Sequence, residues 1–219
     1  VNINGEDIRA DITNLFGYIS NYKNEKSTIQ IDRYVSALYI QFKVGIDNIV
    51  FVVRSDEYLD VSRAENIELV TESLAADLNI VFMADDVNAM IPIRIDDMAG
   101  KDIIDIRKIA YKNVKKWLPK LVNDNSVYPI RLFYVEGNTM LSTSLISLDE
   151  FWESLSADTS KKYYFAIPRR DQLFLLDKEN EDALPTLRYL VELTFKDNFN
   201  LLSSNIYSYE AGKISMVPD

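Results

Sequence analysis

The chain holds 219 residues, 47% hydrophobic and 26% charged, enough to bury a core of its own. A formal net charge of −10 and a sequence pI of about 4.6 repel phosphate backbones and argue against general nucleic-acid binding. The chain has neither Cys nor His, which excludes disulfides, thiolate nucleophiles, Cys- or imidazole-based metal sites and Ser-His-Asp or Cys-His catalysis.

Val1 to Asn4 alternates apolar and polar residues, breaks at Gly5-Glu6-Asp7 and resumes at Ile8, Ala10 and Ile12, the pattern of a hairpin. Leu15, Phe16 and Ile19 suggest a short helix. Ser27 and Gln30 have capping-box spacing ahead of Ile31, Val35, Leu38 and Phe42 on one helical face, and Gly45 ends the pattern. Ile49-Val50-Phe51-Val52-Val53 is apolar throughout and rich in β-branched residues, which predicts a central strand delivering Arg54-Ser55-Asp56 at its end. The polar stretch Glu57 to Asn66 suggests a loop and Ile67 to Val70 a strand, while Ser73 to Asp77 fits neither pattern. Leu78 to Met83 predicts a second buried strand, paired with Ala89 to Ile95 across the turn Asp85-Asp86-Val87-Asn88, and Pro92 places that partner near a sheet edge.

The spacing predicts a helix over Asp102 to Leu118, with Ile103, Ile106, Ala110, Val114 and Trp117 on one face and Lys101, Lys108, Lys112, Lys115 and Lys116 on the other. Asp102 and Asp105 at its start complement the macrodipole, and Pro119 stops it. Tyr128 to Val135 predicts a strand and Gly137-Asn138 a turn. Ser147 and Glu150 form a second capping box before Leu148, Phe151, Trp152 and Leu155. Two apolar runs follow, Tyr163 to Ile167 and Leu173 to Leu176, around Pro168-Arg169-Arg170-Asp171. Neither run alternates, so the pair predicts an antiparallel hairpin covered on both faces in the middle of a sheet. Leu184, Leu187, Val191 and Phe195 mark a last helix, and Ile206 to Tyr209 with Lys213 to Val217 a terminal hairpin around Ala211-Gly212. The expected fold is α+β, a largely antiparallel sheet covered by helices, in one domain over 1–219 with subdomains 1–100 and 101–219 sharing one interface.

Asp85-Asp86, Asp96-Asp97 and Asp171 offer oxygen ligands or acid–base carboxyls, but adjacent aspartates after strands are commonly turn formers, and no EF-hand spacing occurs. Ser142-Thr143-Ser144 would need a lysine or carboxylate base to act as nucleophiles; hydroxyls before a helix mostly bond the backbone. Arg54 and Arg169 or Arg170 each stand at a strand end, where a guanidinium holds a carboxylate or phosphate bidentately unless an aspartate such as Asp171 occupies it first. The lysines Lys108, Lys112, Lys115 and Lys116 form a basic surface that either docks an acidic partner or is simply a solvated face. With only six glycines and no Gly-x-Gly-x-x-Gly or P-loop, no cofactor is expected. No apolar run approaches the roughly 18 to 20 residues that span a bilayer. The start at Val1, without a leader pattern, leads to the expectation that an N-terminal piece is missing.

The order of ADLNIVFMADD (Ala76 to Asp86), the helix ending IAYKNV (Ile109 to Val114), GNTMLSTSLISLDEFW (Gly137 to Trp152), YFAIPRRDQLFLLD (Tyr164 to Asp177) and LSSNIYSYEAGKI (Leu202 to Ile214) resembles the YtpQ-like family of bacterial proteins. The first half is similar through the helix around Val35 and the strand leading to Arg54-Ser55. The resemblance implies a bacterial, cytoplasmic α+β protein with no assigned reaction, and characteristic positions for Arg54, Asp85, Ser142-Thr143-Ser144, Pro168 and Asp171. Relatives carry Asp/Glu-Ser-Ser where this chain has Ser-Thr-Ser, so an acidic group is displaced or absent there. The expected function is a non-catalytic binding or adaptor domain with a protein partner and a site among Arg54, Asp85, Arg169, Arg170 and Asp171. The alternatives are an Asp/Arg enzyme, with or without Mg²⁺, on a phosphorylated or carboxylated substrate, and an acidic inhibitor or immunity-like protein.

Overall fold

The computed structural model of the chain describes residues 2–3, 6–7, 48–85, 90–98, 102–156, 161–196 and 199–218. At the start, β1 (Asn2–Ile3) and β2 (Glu6–Asp7) pair antiparallel with Ile3 opposite Glu6, so Glu6 and Asp7 belong to the return strand and not to the break expected there. The helices expected around Leu15–Ile19 and from Ser27 to Phe42 lie outside the described residues, as does most of the turn after Asp85.

β3 (Ile49–Ser55) is buried from Ile49 through Arg54. It leads into α1 (Asp56–Ala64), where a loop was expected. The polar composition conceals this helix because Leu59 is its one buried residue, while Asp56 and Glu57 in its first turn and Arg63 in its last suit the macrodipole. β4 (Thr71–Ala75) takes up most of the ambiguous stretch and turns through Ala76, whose φ is +50°. β5 (Leu78–Asp85) then pairs with all of β3, Ser55 opposite Leu78 and Ile49 opposite Ala84. On the other flank of β5, β4 covers the first half and β6 (Met90–Pro92) the second. Pro92 thus lies on an outer strand, where its missing N–H is tolerated.

α2 (Ile103–Lys115) buries Ile106, Ala110 and Val114 along one stripe, with Asp102 as N-cap accepting from the Ile104 amide at 3.1 Å. It packs on β3, placing Tyr111 4.6 Å from Phe51 between ring centroids, and Asn113 Nδ2 donates to the Ile49 carbonyl at 2.8 Å. β7 (Leu121–Val127) and β8 (Ile130–Val135) follow as a hairpin, and Tyr128-Pro129, expected inside a strand, form its turn. β7 is polar because it is an edge strand with Asn123, Asn125 and Ser126 exposed. α3 (Asp149–Leu155) starts after Leu148 without a side-chain cap; Ser147, expected to cap it, ends a 3-10 turn over Thr143–Ser147. That turn is held instead by the Trp152 indole N–H donating to the Ile146 carbonyl at 2.8 Å.

β9 (Tyr163–Arg169) and β10 (Gln172–Asp177) form the expected central hairpin, closed by Arg170-Asp171. After α4 (Leu184–Lys196), β11 (Ile206–Glu210) and β12 (Lys213–Met216) complete a six-stranded antiparallel sheet in the order β12-β11-β9-β10-β8-β7. Tyr163, Phe165, Ile167, Leu173 and Leu175 face a core shared with β3, β5 and α2, whereas Tyr164, Ala166, Phe174 and Leu176 face a second core closed by Leu187 and Val191 of α4. Burial on both faces is why neither central strand alternates. The architecture is α+β with antiparallel sheets, and the four-stranded and six-stranded sheets share one core.

Candidate functional site

Arg54 is the last residue but one of β3, fixed there because the apolar run ahead of it is pinned along β5, and its side chain is only 4% exposed. Its Nη1 donates to the Val53 carbonyl at 2.8 Å, and its guanidinium carbon stands 5.6 Å from the Tyr58 ring centroid, one turn into α1. The β9–β10 turn brings Arg170 to the same ring, at 6.0 Å. No carboxylate among the described residues lies within ion-pairing distance of either arginine. Burial first, and then the charge of Arg170, push the Arg54 pKa down to about 10, against an opposing pull from Tyr58. The Tyr58 phenol is pushed up by its own burial, against the pull of both arginines.

The other members of the turn divide differently. Arg169 Nε and Asp171 Oδ1 form an ion pair at 3.8 Å, too long for a hydrogen bond, and the Arg169 guanidinium carbon lies 5.5 Å from the Phe199 ring centroid. The Nε atoms of Arg54, Arg169 and Arg170, Asp171 Oδ1 and Gln172 Oε1 are buried without a hydrogen-bond partner among the described residues. Folded proteins leave few such groups, and four of these five lie between Arg169 and Gln172 at the tip of the β9–β10 hairpin.

The Ser142-Thr143-Ser144 run holds this arrangement. All three residues are fully buried, and each hydroxyl donates to a carbonyl: Ser142 to Thr139 at 2.6 Å, Thr143 to Arg170 at 3.3 Å and Ser144 to Phe51 at 2.9 Å. One 3-10 segment therefore touches both the strand that holds Arg54 and the turn that carries Arg170. From the other side, the Arg170 amide donates to the Asn200 carbonyl at 3.0 Å and the Leu202 amide to the Pro168 carbonyl at 2.9 Å.

Asp85 stands apart. It ends β5 at Ala84–Ile49, while Arg54 pairs with Asn79 at the other end, a separation of roughly 20 Å along the strand. Among the described residues no group of three or more acidic side chains gathers in a way that would hold a metal ion. On α2, Lys108 pairs with Asp105 at 3.9 Å, Lys115 with Glu150, and Lys116 donates to Asn113 Oδ1 at 2.7 Å, while Lys112 is exposed. Three of the four lysines thus have local polar partners. A cluster without any sequence signal is Asp77, Ser203 and Tyr207: Ser203 Oγ donates to Asp77 Oδ2 at 2.8 Å and Tyr207 Oη to Asp77 Oδ1 at 2.5 Å. Burial, and then the bond to Asp77, push the Tyr207 phenol far up, so it is a poor proton donor to a reaction and a good strut.

A pocket of about 370 Å³ lies at the opposite end of β9, between Trp152, Tyr163 and Tyr209. Its aromatic surfaces are engaged internally: Trp152 and Tyr209 stack with centroids 3.8 Å apart and planes 5° from parallel, and Lys161 pairs with Asp177 at 3.6 Å. No helix among the described residues is long and apolar enough to cross a membrane. No family model, curated protein or solved structure significantly matches the chain.

Proposed function

We propose that the protein is a non-catalytic binding module, a bacterial cytoplasmic adaptor of the YtpQ-like kind, whose Arg54–Arg170 pair takes an anionic group of a partner, carboxylate or phosphate. The observation that carries this reading is a guanidinium at 4% exposure that feels the charge of a second arginine and has no ion-paired carboxylate among the described residues. A buried charge without a counter-ion costs several kcal/mol, and a ligand anion would remove that cost. The order of the five sequence motifs supports the family reading. The catalytic alternative required Arg54, Asp85 and Asp171 to converge, and the β3–β5 register counts against it. The net charge of −10 repels an anionic group at long range, so recognition rests on short-range contact at the pair.

Thermal unfolding in sodium acetate, phosphate and chloride at matched ionic strength tests this. Acetate or phosphate is expected to raise the midpoint of the wild type above its value in chloride, and Arg170→Gln to abolish the difference. An identical anion response in both proteins would remove the pair from the function.

A further inference from the structure

The charge at the arginine pair says which anion suits it. Arg169 and Asp171 offset each other at 3.8 Å, so Arg54 and Arg170 leave two positive charges without a partner among the described residues. A carboxylate would neutralise one of them. A phosphate monoester carries nearly two negative charges above its second pKa of about 6, and its three free oxygens accept from two guanidinium forks at once. Both guanidinium carbons stand beside one ring, 5.6 and 6.0 Å from the Tyr58 centroid, and Arg54 feels the charge of Arg170, so the two forks are neighbours for a single anion to bridge. On Arg54, Nη1 is committed to the Val53 carbonyl while Nε is buried and unbonded, which leaves the Nε–Nη2 edge, the one suited to a bidentate contact.

We propose that the Arg54–Arg170 pair is a phosphate-monoester site, an inference that rests on the anion-binding reading above. The ester is carried by a phosphorylated side chain of a protein or by a small phosphorylated metabolite, which present the same group. Thr143 and Ser144 position the two arginines through the Arg170 and Phe51 carbonyls.

The test is calorimetric titration of the full chain with methyl phosphate and methyl sulfate, which match in shape and differ by one charge. Above the second phosphate pKa, near pH 7.5, methyl phosphate is expected to bind at least about ten-fold tighter; near pH 5, where it too is a monoanion, the preference is expected to collapse. Arg170→Gln is expected to lower phosphate affinity about ten-fold or more while circular dichroism stays native. Equal affinity for the two esters at both pH values would overturn the phosphate inference and leave the anion reading standing. Binding of neither at millimolar concentration would overturn both. Tighter binding of a phosphoserine peptide than of glycerol phosphate would assign the ester to a protein, and the reverse order to a metabolite.

Discussion

Arg54 is held in place at a cost that the described fold does not offset. The strand positions it, the Val53 carbonyl takes one of its donors, and its neighbour Arg170 has the same charge. A residue kept for packing alone would be cheaper as methionine, which has a similar reach and makes favourable contacts with an aromatic ring such as Tyr58. Replacing buried charge by an apolar side chain is often neutral or stabilising by about 1–4 kcal/mol. Arg54→Met is therefore expected to leave the unfolding midpoint unchanged or to raise it by several degrees, at about 2–4 °C per kcal/mol for a chain of this size, in buffer free of multivalent anions. The same variant is expected to lose all stabilisation by phosphate. A large drop in midpoint instead would make Arg54 a structural strut, because removing it would then expose a need that its unbonded Nε does not show. Stability gained and binding lost together are the signature of a residue retained for function.

At the scale of elements, the Thr143–Ser147 segment matters more than its short length suggests. Ser144→Ala leaves the Phe51 carbonyl without the donor that ties β3 to the 3-10 turn, at an expected cost of about 1–2 kcal/mol measured by denaturant unfolding. The lysine face of α2 has no such link to the arginine pair. Lys108→Glu/Lys112→Glu is expected to leave methyl phosphate affinity within about two-fold at physiological ionic strength, where salt screens the charges of exposed side chains. A larger loss would move the site, or part of it, onto α2. These elements also show what the chain discloses in one dimension. The central hairpin was legible because a strand covered on both faces writes an unbroken apolar run, and α2 because one buried stripe recurs at helical spacing. α1 and β7 were not, since a surface helix with one buried leucine and an exposed edge strand both look like polar loops. Arg54 and Arg170 were legible singly, as cations at strand ends. Their meeting over Tyr58 was not, because it depends on how β3, α1 and the β9–β10 turn pack.

Among the described residues the two larger sheets share a core, and the Asp77–Ser203–Tyr207 cluster ties the β4–β5 turn to β11 across that core. The response of the fold to alkali follows from the same packing. Burial raises the phenol pKa of Tyr58, Tyr111, Tyr163, Tyr164, Tyr207 and Tyr209. An unfolded chain ionises these groups near pH 10, whereas the folded one keeps them neutral, so above that pH the unfolded state binds fewer protons and stability falls as pH rises. Arg54 acts in the opposite sense: its lowered pKa makes the fold release a proton first, adding stability above about 10, but it is one group against several. The unfolding midpoint is expected to fall steeply above about pH 10, with tyrosinate absorbance from the buried phenols appearing together with unfolding. Tyr207→Phe separates the contributions. It removes a hydrogen bond to Asp77 and is expected to cost about 1–3 kcal/mol at neutral pH, yet it also removes one titrating group. The alkaline decline of that variant is then expected to be shallower by up to about 1.4 kcal/mol per pH unit. A parallel decline in both proteins would show that Tyr207 ionises before the sheets separate, and that the Asp77 cluster does not hold them together.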